Sequence, residues 1–391
     1  MQVLYILHST QATGGATKAI LGLALQLKEK NVTPTFLVPD RMGIYNTLFN
    51  SGHQTYCIPF KLSIYPNYRS IGDKIFFFPK LLCRQIINII ALVRIIRLVK
   101  ALRPDIIHTN TSVVSLGRMA AKWVGIPHIQ HIREYGEYGN KDFSMHYFPS
   151  WKLVHRALEK DNLFNICITK DIQSHHGLKD LANTIVIYDG VHDSVQKMPA
   201  HEKEPFFLFA GRIEHIKGVD LLLNAYKQYA DKNAAPYTLY IAGGVSDSLY
   251  YAEQKKFVDQ NNLTEKVVFL GDVKDIENFM QKAKALVIPS RAEGFGFCMP
   301  EAMFNGCLCI GNNTAGTKEQ IENGLELTGK DIALTYTTEE ELADCLQKVH
   351  HSDESQWENM KKRAFRTVNT LYTNEESASA IFKIYKNITQ H

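Results

Sequence analysis

The chain reads LVIPSRAEGFGFCMPEA over residues 286–302. The apolar start of this stretch predicts a buried strand, and Pro300 stands where the first turn of a helix accepts a proline. Gly294 and Gly296 lie between strand and helix and allow the backbone to approach a ligand closely. A helix start that follows such a loop binds anions through its backbone N–H groups. The stretch therefore predicts one strand–loop–helix step of a parallel α/β sheet, with a diphosphate or sugar bound beyond the strand.

The same alternation of strands and helices continues outward along the chain. Strands are predicted at 3–7, 35–38, 106–108, 206–210, 239–242, 267–270 and 286–289, and helices at about 16–30, 218–230, 249–261 and 276–283. The polar, proline-bounded segment 199–205 interrupts the pattern and is interpreted as a linker. A chain of 391 residues is also longer than one hydrophobic core usually supports. We therefore predict two doubly wound α/β domains, at 1–198 and 199–370, whose facing strand ends form one cleft.

Two carboxylates lie in and after the glycine-containing loop. Glu293 belongs to the loop, and Glu301 follows Pro300 in the first helical turn. Carboxylates accept hydrogen bonds from vicinal hydroxyls, so a sugar ring and a ribose are suitable ligands. The structural alternative is that Glu301 complements the helix dipole and that Glu293 is a solvated loop residue.

Two cations follow the strand at 206–210. Arg212 and Lys217 lie in the sequence GRIEHIKG, at the carboxyl end of that strand. An arginine fork and a lysine point charge together suit a diphosphate and would stabilise the charge of a leaving group. Alternatively, they are two ordinary surface cations at a strand-to-helix turn.

A glycine pair lies between the first strand and the first helix. The sequence there is TGGAT over residues 13–17, and Gly15 can offer its N–H to a phosphate. A plain turn explains the same residues. The pattern is neither G-x-G-x-x-G nor a Walker loop, which disfavours a dinucleotide or ATP site.

Together, these motifs resemble the retaining glycosyltransferase family 4, whose fold is called GT-B. The resemblance rests on EGFGFxxPE from Glu293 to Glu301, on GRIxxxKG at residues 211–218, and on the glycine pair. It implies two Rossmann-like domains facing a central cleft and a carboxyl-terminal helix, at 371–391, that packs on the amino-terminal domain. Two features depart from the family pattern: Lys318 stands where relatives usually have proline, and the segment 324–329 is not the usual loop.

The resemblance also implies roles for individual residues. Glu293 would contact hydroxyls of the donor sugar, Glu301 would bind the ribose, and the phosphates would lie on Arg212, Lys217 and Gly15. The sugar pocket would be lined by the backbone of Gly294, Phe295, Gly296 and Phe297. Gly271 and Val273 would contact the base through their backbone, although a buried strand end explains them equally well.

A histidine near the reacting carbon is a further implication of the resemblance. His131 is the best match, with His128 and the pair Arg133–Glu134 as competitors, and a structural role in a strand is the alternative. The residues expected to act in catalysis are His131, Arg212, Lys217 and Glu293. The implied reaction is a front-face transfer with retention of configuration, from a UDP-sugar, with cations in place of a metal and no cofactor.

The bulk composition limits location and partners. The net charge is +4 with no long block of like charge, which argues against a nucleic-acid partner. The seven cysteines are scattered without metal-type pairing, and the amino terminus reads as a strand rather than a signal peptide. We therefore expect a cytoplasmic protein.

An apolar run, Ile86–Val93, lies in a helical stretch punctuated by cations at 80, 84, 94, 97, 100 and 103. The run is about half of the ~20 residues needed to span a bilayer. The composition suits peripheral contact with an anionic membrane on its inner face, and hence a lipid-linked glycan acceptor. A core helix with snorkelling cations is the alternative.

Other functional classes remain open at this point. A related GT-B enzyme, such as a nucleotide-sugar epimerase or a phosphorylase, would need the same donor residues. A non-catalytic nucleotide-sugar-binding protein is disfavoured because both carboxylates and both cations are present together.

Overall fold

The computed structural model describes residues 1–8, 15–66, 71–136, 145–160, 163–195 and 197–390. It divides into unit 1, residues 1–190 and 374–391, and unit 2, residues 191–373. The sequence placed these boundaries at 198/199 and 370/371. The predicted linker 199–205 lies within unit 2, and its last two residues, Glu204 and Pro205, begin a strand.

Unit 1 is built on a seven-stranded parallel sheet. Its strands are β1 (Gln2–Ile6), β2 (Thr33–Val38), β3 (Gln54–Cys57), β4 (Ile106–Thr109), β5 (His128–Ile132), β6 (Leu163–Cys167) and β7 (Thr184–Val186). They are ordered β3-β2-β1-β4-β5-β6-β7, so the order reverses between β1 and β4. The connecting helices are α1 (Gly15–Glu29), α2 (Ile44–Asn50), α3 (Ile71–Ile75), α4 (Phe77–Leu102), α5 (Leu116–Val124), α6 (Trp151–Leu158) and α7 (Lys170–His175).

Unit 2 repeats this plan with six parallel strands. They are β8 (Glu204–Ala210), β9 (Thr238–Ala242), β10 (Val267–Gly271), β11 (Ala283–Ile288), β12 (Cys309–Asn312) and β13 (Leu334–Tyr336). The order β10-β9-β8-β11-β12-β13 reverses between β8 and β11. The helices are α8 (Val219–Asp231), α9 (Ser248–Gln260), α10 (Ile276–Lys282), α11 (Cys298–Phe304), α12 (Ala315–Thr328), α13 (Glu339–His350) and α14 (Glu358–Leu371).

The last helix, α15 (Asn374–Thr389), belongs to unit 1 and packs against α1. Ala378 and Ile381 are fully buried in the core between the sheet and these helices. The Tyr385 hydroxyl lies 2.7 Å from the hydroxyl of Tyr5 on β1. The sequence pattern alone predicts helix from about residue 353 to the end, whereas the resemblance implies a separate helix at 371–391. In the structure α14 ends at Leu371, and unit 2 ends two residues later, at Thr373.

The central strands are buried because helices cover both faces of each sheet. Residues 3–6 of β1 and 206–209 of β8 are almost inaccessible to solvent, as expected for strands of a doubly wound sheet. Ligands of such sheets bind beyond the carboxyl ends of the strands, where the strand order reverses. In the part of the chain that the structure describes, none of the helices has the apolar length that a bilayer span requires.

Candidate active site

Lys217 and Glu293 meet at the carboxyl edge of the unit 2 sheet. Lys217 ends a short 3-10 helix (His215–Lys217) after β8, and Glu293 lies in the loop after β11. Lys217 Nζ lies 2.6 Å from Glu293 Oε1. The Ser290 hydroxyl donates to the same carboxylate oxygen at 2.7 Å. Because β8 and β11 flank the reversal in strand order, the pair occupies the usual ligand position of this sheet type.

The pair is shielded from solvent, with side-chain exposures of 19% for Lys217 and 13% for Glu293. Burial opposes the charge of Lys217, but the adjacent Glu293 carboxylate outweighs burial and raises the pKa of the ammonium above its ordinary value. Lys217 is therefore a fixed positive charge at neutral pH. An ammonium and a carboxylate side by side can contact a phosphate and the hydroxyls of one ligand.

The start of α12 holds the loop that carries Glu293. Gly316 N donates to the Glu293 carbonyl at 3.0 Å, and Gln320 Nε2 donates to the Phe295 carbonyl at 2.5 Å. A Cβ at Gly316 would lie 2.8 Å from the carbonyl oxygens of both Glu293 and Gly294. The close approach therefore requires glycine at this position.

An ion pair connects the same loop to the segment that carries Lys217. Arg291 contacts both carboxylate oxygens of Asp220 in a bidentate arrangement, at 2.8 and 2.7 Å. Arg291 also donates to the carbonyls of His215, through Nη1, and Ile216, through its backbone N, both at 2.8 Å. Burial opposes ionisation of Asp220, but the hydrogen bonds from Arg291 and Tyr250 lower its pKa below the ordinary value. The two loops are thus held in register with each other.

Arg212 lies near this site, but its ion pair is with Glu214 and not with Glu293. Its side chain is 59% exposed and pairs with Glu214 at 2.9 Å. Its charge opposes protonation of Lys217, so the two cations lie within electrostatic reach of each other. Glu301 is 8% exposed in the first turn of α11.

The remaining predicted donor residues lie in loops of unit 2. Phe295 is 2% exposed, and its ring packs 5.2 Å from that of Phe297, so only its backbone can line a pocket. Gly296 has a positive φ of 81°, which favours glycine. Gly271 ends β10 in an exposed position with φ 67°, and Val273 follows it.

A second polar cluster lies at the reversal point of the unit 1 sheet. Glu134 follows β5 and accepts hydrogen bonds from the hydroxyls of Thr111, at 2.6 Å, and Ser112, at 2.8 Å, which follow β4. His8, after β1, places Nε2 3.8 Å from Glu134 Oε1. Burial opposes ionisation of Glu134, but His8 and the two hydroxyl donors lower its pKa below the ordinary value. Glu134 is an ionised, 15% exposed acceptor at the edge where such sheets bind ligands.

The two histidines considered for the reacting centre lie in the core instead. His131 is 1% exposed, and its Nδ1 lies 3.2 Å from Nε2 of His108. His128 is 3% exposed and is hydrogen-bonded to Thr109 at 2.9 Å. Burial lowers the pKa of both imidazoles well below the ordinary value, so both are neutral. The predicted contact of His131 with substrate stays a prediction, and Glu134 is the competitor that reaches the sheet edge.

Arg133 and Gly15 have separate surroundings. Arg133 is buried, pairs with Asp189, and donates through Nε to Asn110 Oδ1 at 3.0 Å. Gly15 is the first residue of α1, whereas Gly14 lies outside the described residues. The phosphate contact of Gly15 stays a prediction.

Several residues that build this site carry only weak sequence signals. Ser290 and Arg291 lie in the stretch that predicted the loop, but nothing in the pattern distinguishes a hydroxyl that bonds Glu293 from an ordinary loop serine. Asp220 and Gly316 are far from that stretch in sequence. Their proximity follows only from the strand order, which a single sequence does not reveal.

Comparisons with known proteins find similar sequences and similar folds. Residues 192–367 match the family described as Glycosyl transferases group 1. The chain is 29% identical over 184 residues to the lipopolysaccharide core biosynthesis mannosyltransferase LpcC of Rhizobium leguminosarum bv. viciae, covering 46% of this chain and 49% of that protein. It is 26% identical over 307 residues to the UDP-Gal:alpha-D-GlcNAc-diphosphoundecaprenol alpha-1,3-galactosyltransferase of Escherichia coli, covering 70% and 77%. The chain thus spans about half the length of the first relative.

Solved structures share the fold of the chain. Anabaena Alr3699/HepE in complex with UDP matches with a TM-score of 0.76 at 15% identity, over 99% of this chain and 100% of that one. The S. aureus TarM G117R mutant, in complex with UDP and other ligands, matches with a TM-score of 0.75 at 14% identity, over the full length of both chains. The GT-B fold predicted from the sequence is confirmed. Residues 192–367 match the Glycosyl transferases group 1 family, and the relatives named here are glycosyltransferases, which supports the prediction of an enzyme of this class.

Proposed function

We propose, from the glycosyltransferase group 1 domain at 192–367, that the protein moves a sugar from a UDP-sugar to a lipid-linked glycan during synthesis of a cell-surface polysaccharide. The observation that carries the proposal is the Lys217–Glu293 pair, 2.6 Å apart where the strand order of unit 2 reverses. A nucleotide-sugar needs both a cation for its phosphates and an acceptor for its sugar hydroxyls.

In the proposed reaction, Lys217 stabilises the charge that develops on the departing diphosphate. Preorganised charges aimed at a leaving group are commonly the largest contribution to catalysis. Glu293 accepts hydrogen bonds from the donor sugar, and the hydrogen bond from the Ser290 hydroxyl holds its carboxylate in place. The bond from the anomeric carbon to UDP breaks, and a bond to the acceptor oxygen forms on the same face of the sugar. The proton of the acceptor hydroxyl is taken up by the departing phosphate oxygen. Configuration is retained because the new bond forms on the face from which UDP leaves.

We also propose that the transfer proceeds without a divalent metal. Lys217 is held protonated by Glu293, and Arg212 lies within electrostatic reach of it. Together they supply the two positive charges that a diphosphate leaving group needs. Activity undiminished by EDTA is the expected result, and activity restored only by added Mg²⁺ or Mn²⁺ would contradict this part.

For the acceptor, we propose binding at the unit 1 cluster of Glu134, His8, Thr111 and Ser112. Glu134 combines an ionised carboxylate with 15% side-chain exposure, which suits a glycan hydroxyl. The lipid-linked class of acceptor is supported by the Escherichia coli relative, whose name specifies a diphosphoundecaprenol-linked substrate.

The choice of UDP is supported by that same relative and by Alr3699/HepE, which was solved with UDP. A second candidate is mannosyl transfer, because the Rhizobium leguminosarum relative is a mannosyltransferase. The two candidates use the same site residues and differ in donor.

The test is nucleotide release by the purified protein with UDP-glucose, UDP-galactose, UDP-N-acetylglucosamine and GDP-mannose, with and without a lipid-linked acceptor. We expect acceptor-dependent release from one UDP-sugar and, by NMR of the product, the same anomeric configuration as the donor. Release from GDP-mannose alone would favour the second candidate. An inverted product, or donor conversion that needs no acceptor, would overturn the proposal.

A further inference from the structure

Helix α4 presents a continuous apolar stripe to solvent. We define the α4 stripe as Phe78, Leu82, Ile86, Ile89, Ile90 and Val93. These side chains are between 44% and 77% exposed. Spacings of three and four residues place them on one side of the helix. Scattered exposed apolar residues need no explanation, whereas a contiguous row marks a surface that binds something.

The opposite side of α4 is the side that packs on unit 1. Asn88, Ala91, Ile95 and Val99 are buried there, and the last three belong to the core under the helix. The α4 stripe is therefore not needed to attach the helix to the sheet. The alternative considered from the sequence, a core helix with snorkelling cations, accounts for the buried side of α4 but gives no role to the exposed apolar α4 stripe.

The charges of α4 select one kind of partner. Its 26 residues contain no Asp or Glu, and its cations are Lys80, Arg84, Arg94, Arg97 and Lys100. Lys80 pairs with Asp73 at 2.7 Å, and Arg84 donates to a backbone carbonyl at 3.2 Å. Arg94, Arg97 and Lys100 are exposed, and the last two continue the spacing of the stripe beyond Val93. One side of the helix is thus apolar along its first part and cationic along its last.

The neighbouring helix α5 also exposes an aromatic side chain to solvent. α5 packs beside α4 over the same core. Its outward residues include Trp123, 73% exposed, and Met119, 46% exposed. Tryptophan is enriched where proteins meet the headgroup region of membranes.

We infer that the α4 stripe, together with Arg94, Arg97 and Lys100, docks the protein on an anionic lipid bilayer. The helix lies flat, with its apolar part in the headgroup–acyl boundary and its cations against acidic headgroups. It does not span, because only residues 85–93 separate Arg84 from Arg94, a rise of about 13 Å at 1.5 Å per residue. The inference does not depend on the proposed function.

The test measures co-sedimentation of the full chain with vesicles of phosphatidylcholine alone or with about a third phosphatidylglycerol. Two variants change the proposed surface: Phe78→Ser/Ile89→Ser, and Arg94→Gln/Arg97→Gln/Lys100→Gln. Two matched controls change residues exposed elsewhere: Phe49→Ser/Leu249→Ser, and Lys179→Gln/Lys256→Gln/Lys330→Gln. Melting curves verify that each variant folds.

We expect the natural chain and both controls to bind the anionic vesicles and to bind phosphatidylcholine weakly. The apolar variant should bind at least about ten-fold more weakly. The charge variant should lose affinity for the anionic vesicles by about five-fold for each cation removed, or about 100-fold for all three. A charge variant that binds like the natural chain would overturn the inference even if the apolar variant fails to fold.

Two further outcomes would also overturn it. The natural chain could fail to sediment with anionic vesicles. Alternatively, light scattering could show a dimer that becomes a monomer in the Phe78→Ser/Ile89→Ser variant, in which case a second copy covers the α4 stripe.

Discussion

Replacing Lys217 by alanine tests the central residue of the proposed donor site. The substitution removes the ammonium that lies 2.6 Å from Glu293 and leaves that carboxylate with its hydrogen bond from Ser290. Two effects should follow: a loss of stability in unit 2 and a loss of leaving-group stabilisation in the reaction. The matched control is Lys227→Ala, which breaks the exposed pair with Asp231 in α8.

The magnitudes follow from the burial of the two pairs. Removing one partner of a fully buried pair costs about 3–5 kcal/mol. The side chains of Lys217 and Glu293 remain 19% and 13% exposed, so the pair is not fully buried. We therefore expect the variant to lose about 2 kcal/mol in free energy of unfolding and to melt about 4–8 °C lower. The catalytic loss should be about 100- to 1,000-fold in kcat, as for the removal of one preorganised donor at a developing charge. Lys227→Ala should cost under about 0.5 kcal/mol and leave kcat unchanged.

The assay combines thermal unfolding with steady-state nucleotide release. Lys217→Arg separates charge from geometry, because it keeps the charge but replaces a point donor with a planar fork; partial recovery of kcat is expected. If Lys217→Ala lowers the melting temperature but reduces kcat by less than about ten-fold, Lys217 is a structural residue. The leaving-group role would then be refuted.

Other predictions concern the surroundings of this pair and unit 1. Gly316→Ala should raise the KM for the donor at least about ten-fold while the fold stays intact. The new Cβ would meet two loop carbonyl oxygens at 2.8 Å and displace the loop that carries Glu293. An unchanged KM would show that the loop adjusts without affecting donor binding. Asp220→Asn should weaken UDP binding, measured by calorimetry, while the protein stays folded. The reason is that Arg291 loses its bidentate carboxylate partner and holds the two loops less firmly. A variant that binds UDP as tightly as the natural chain would contradict this positioning role. Burial lowers the pKa of His155 and of His176 from the ordinary 6.5 to about 4. Between these two pH values the unfolded chain therefore binds more protons than the folded chain. The free energy of unfolding of unit 1 should consequently fall as the pH falls from about 6.5 to 4. Scanning calorimetry should show a lower stability at pH 5.0 than at pH 7.5. The His176→Asn variant should show a smaller difference in stability between the two pH values. If the difference is unchanged in that variant, other groups cause the loss.

The sequence predicts the parts of the fold that depend on local pattern. The alternation of apolar strands with amphipathic helices is repeated in both units, because parallel strands buried on both faces must be apolar throughout. Lys217 and Glu293 could be assigned to one site because each follows a strand, and strand ends of a parallel sheet share an edge.

Features that depend on distant contacts were not predictable from one sequence. The break between α14 and α15 has no Gly or Pro to mark it, so the local pattern does not show it and only the family resemblance implied a separate helix there; it occurs where the chain passes from unit 2 to unit 1. His131 and Glu134 are three residues apart on one chain segment, yet one is buried against His108 and the other lies at the sheet edge. The difference arises because β5 ends at Ile132, so that His131 lies within the buried strand and Glu134 lies beyond its end.

The membership of α15 in unit 1 has a consequence for biosynthesis. Unit 2 is one uninterrupted segment, residues 191–373, whereas unit 1 needs residues 374–391 as well. The one hydroxyl of Tyr385 lies within hydrogen-bonding distance of both the Tyr5 hydroxyl and His108 Nδ1, so these buried polar groups of β1 and β4 are satisfied only after α15 has been synthesised. Domains usually complete their folding in the order of their synthesis. Here the unit that is translated first is the one completed last, and a chain truncated before residue 374 would contain all of unit 2 but would lack α15 of unit 1.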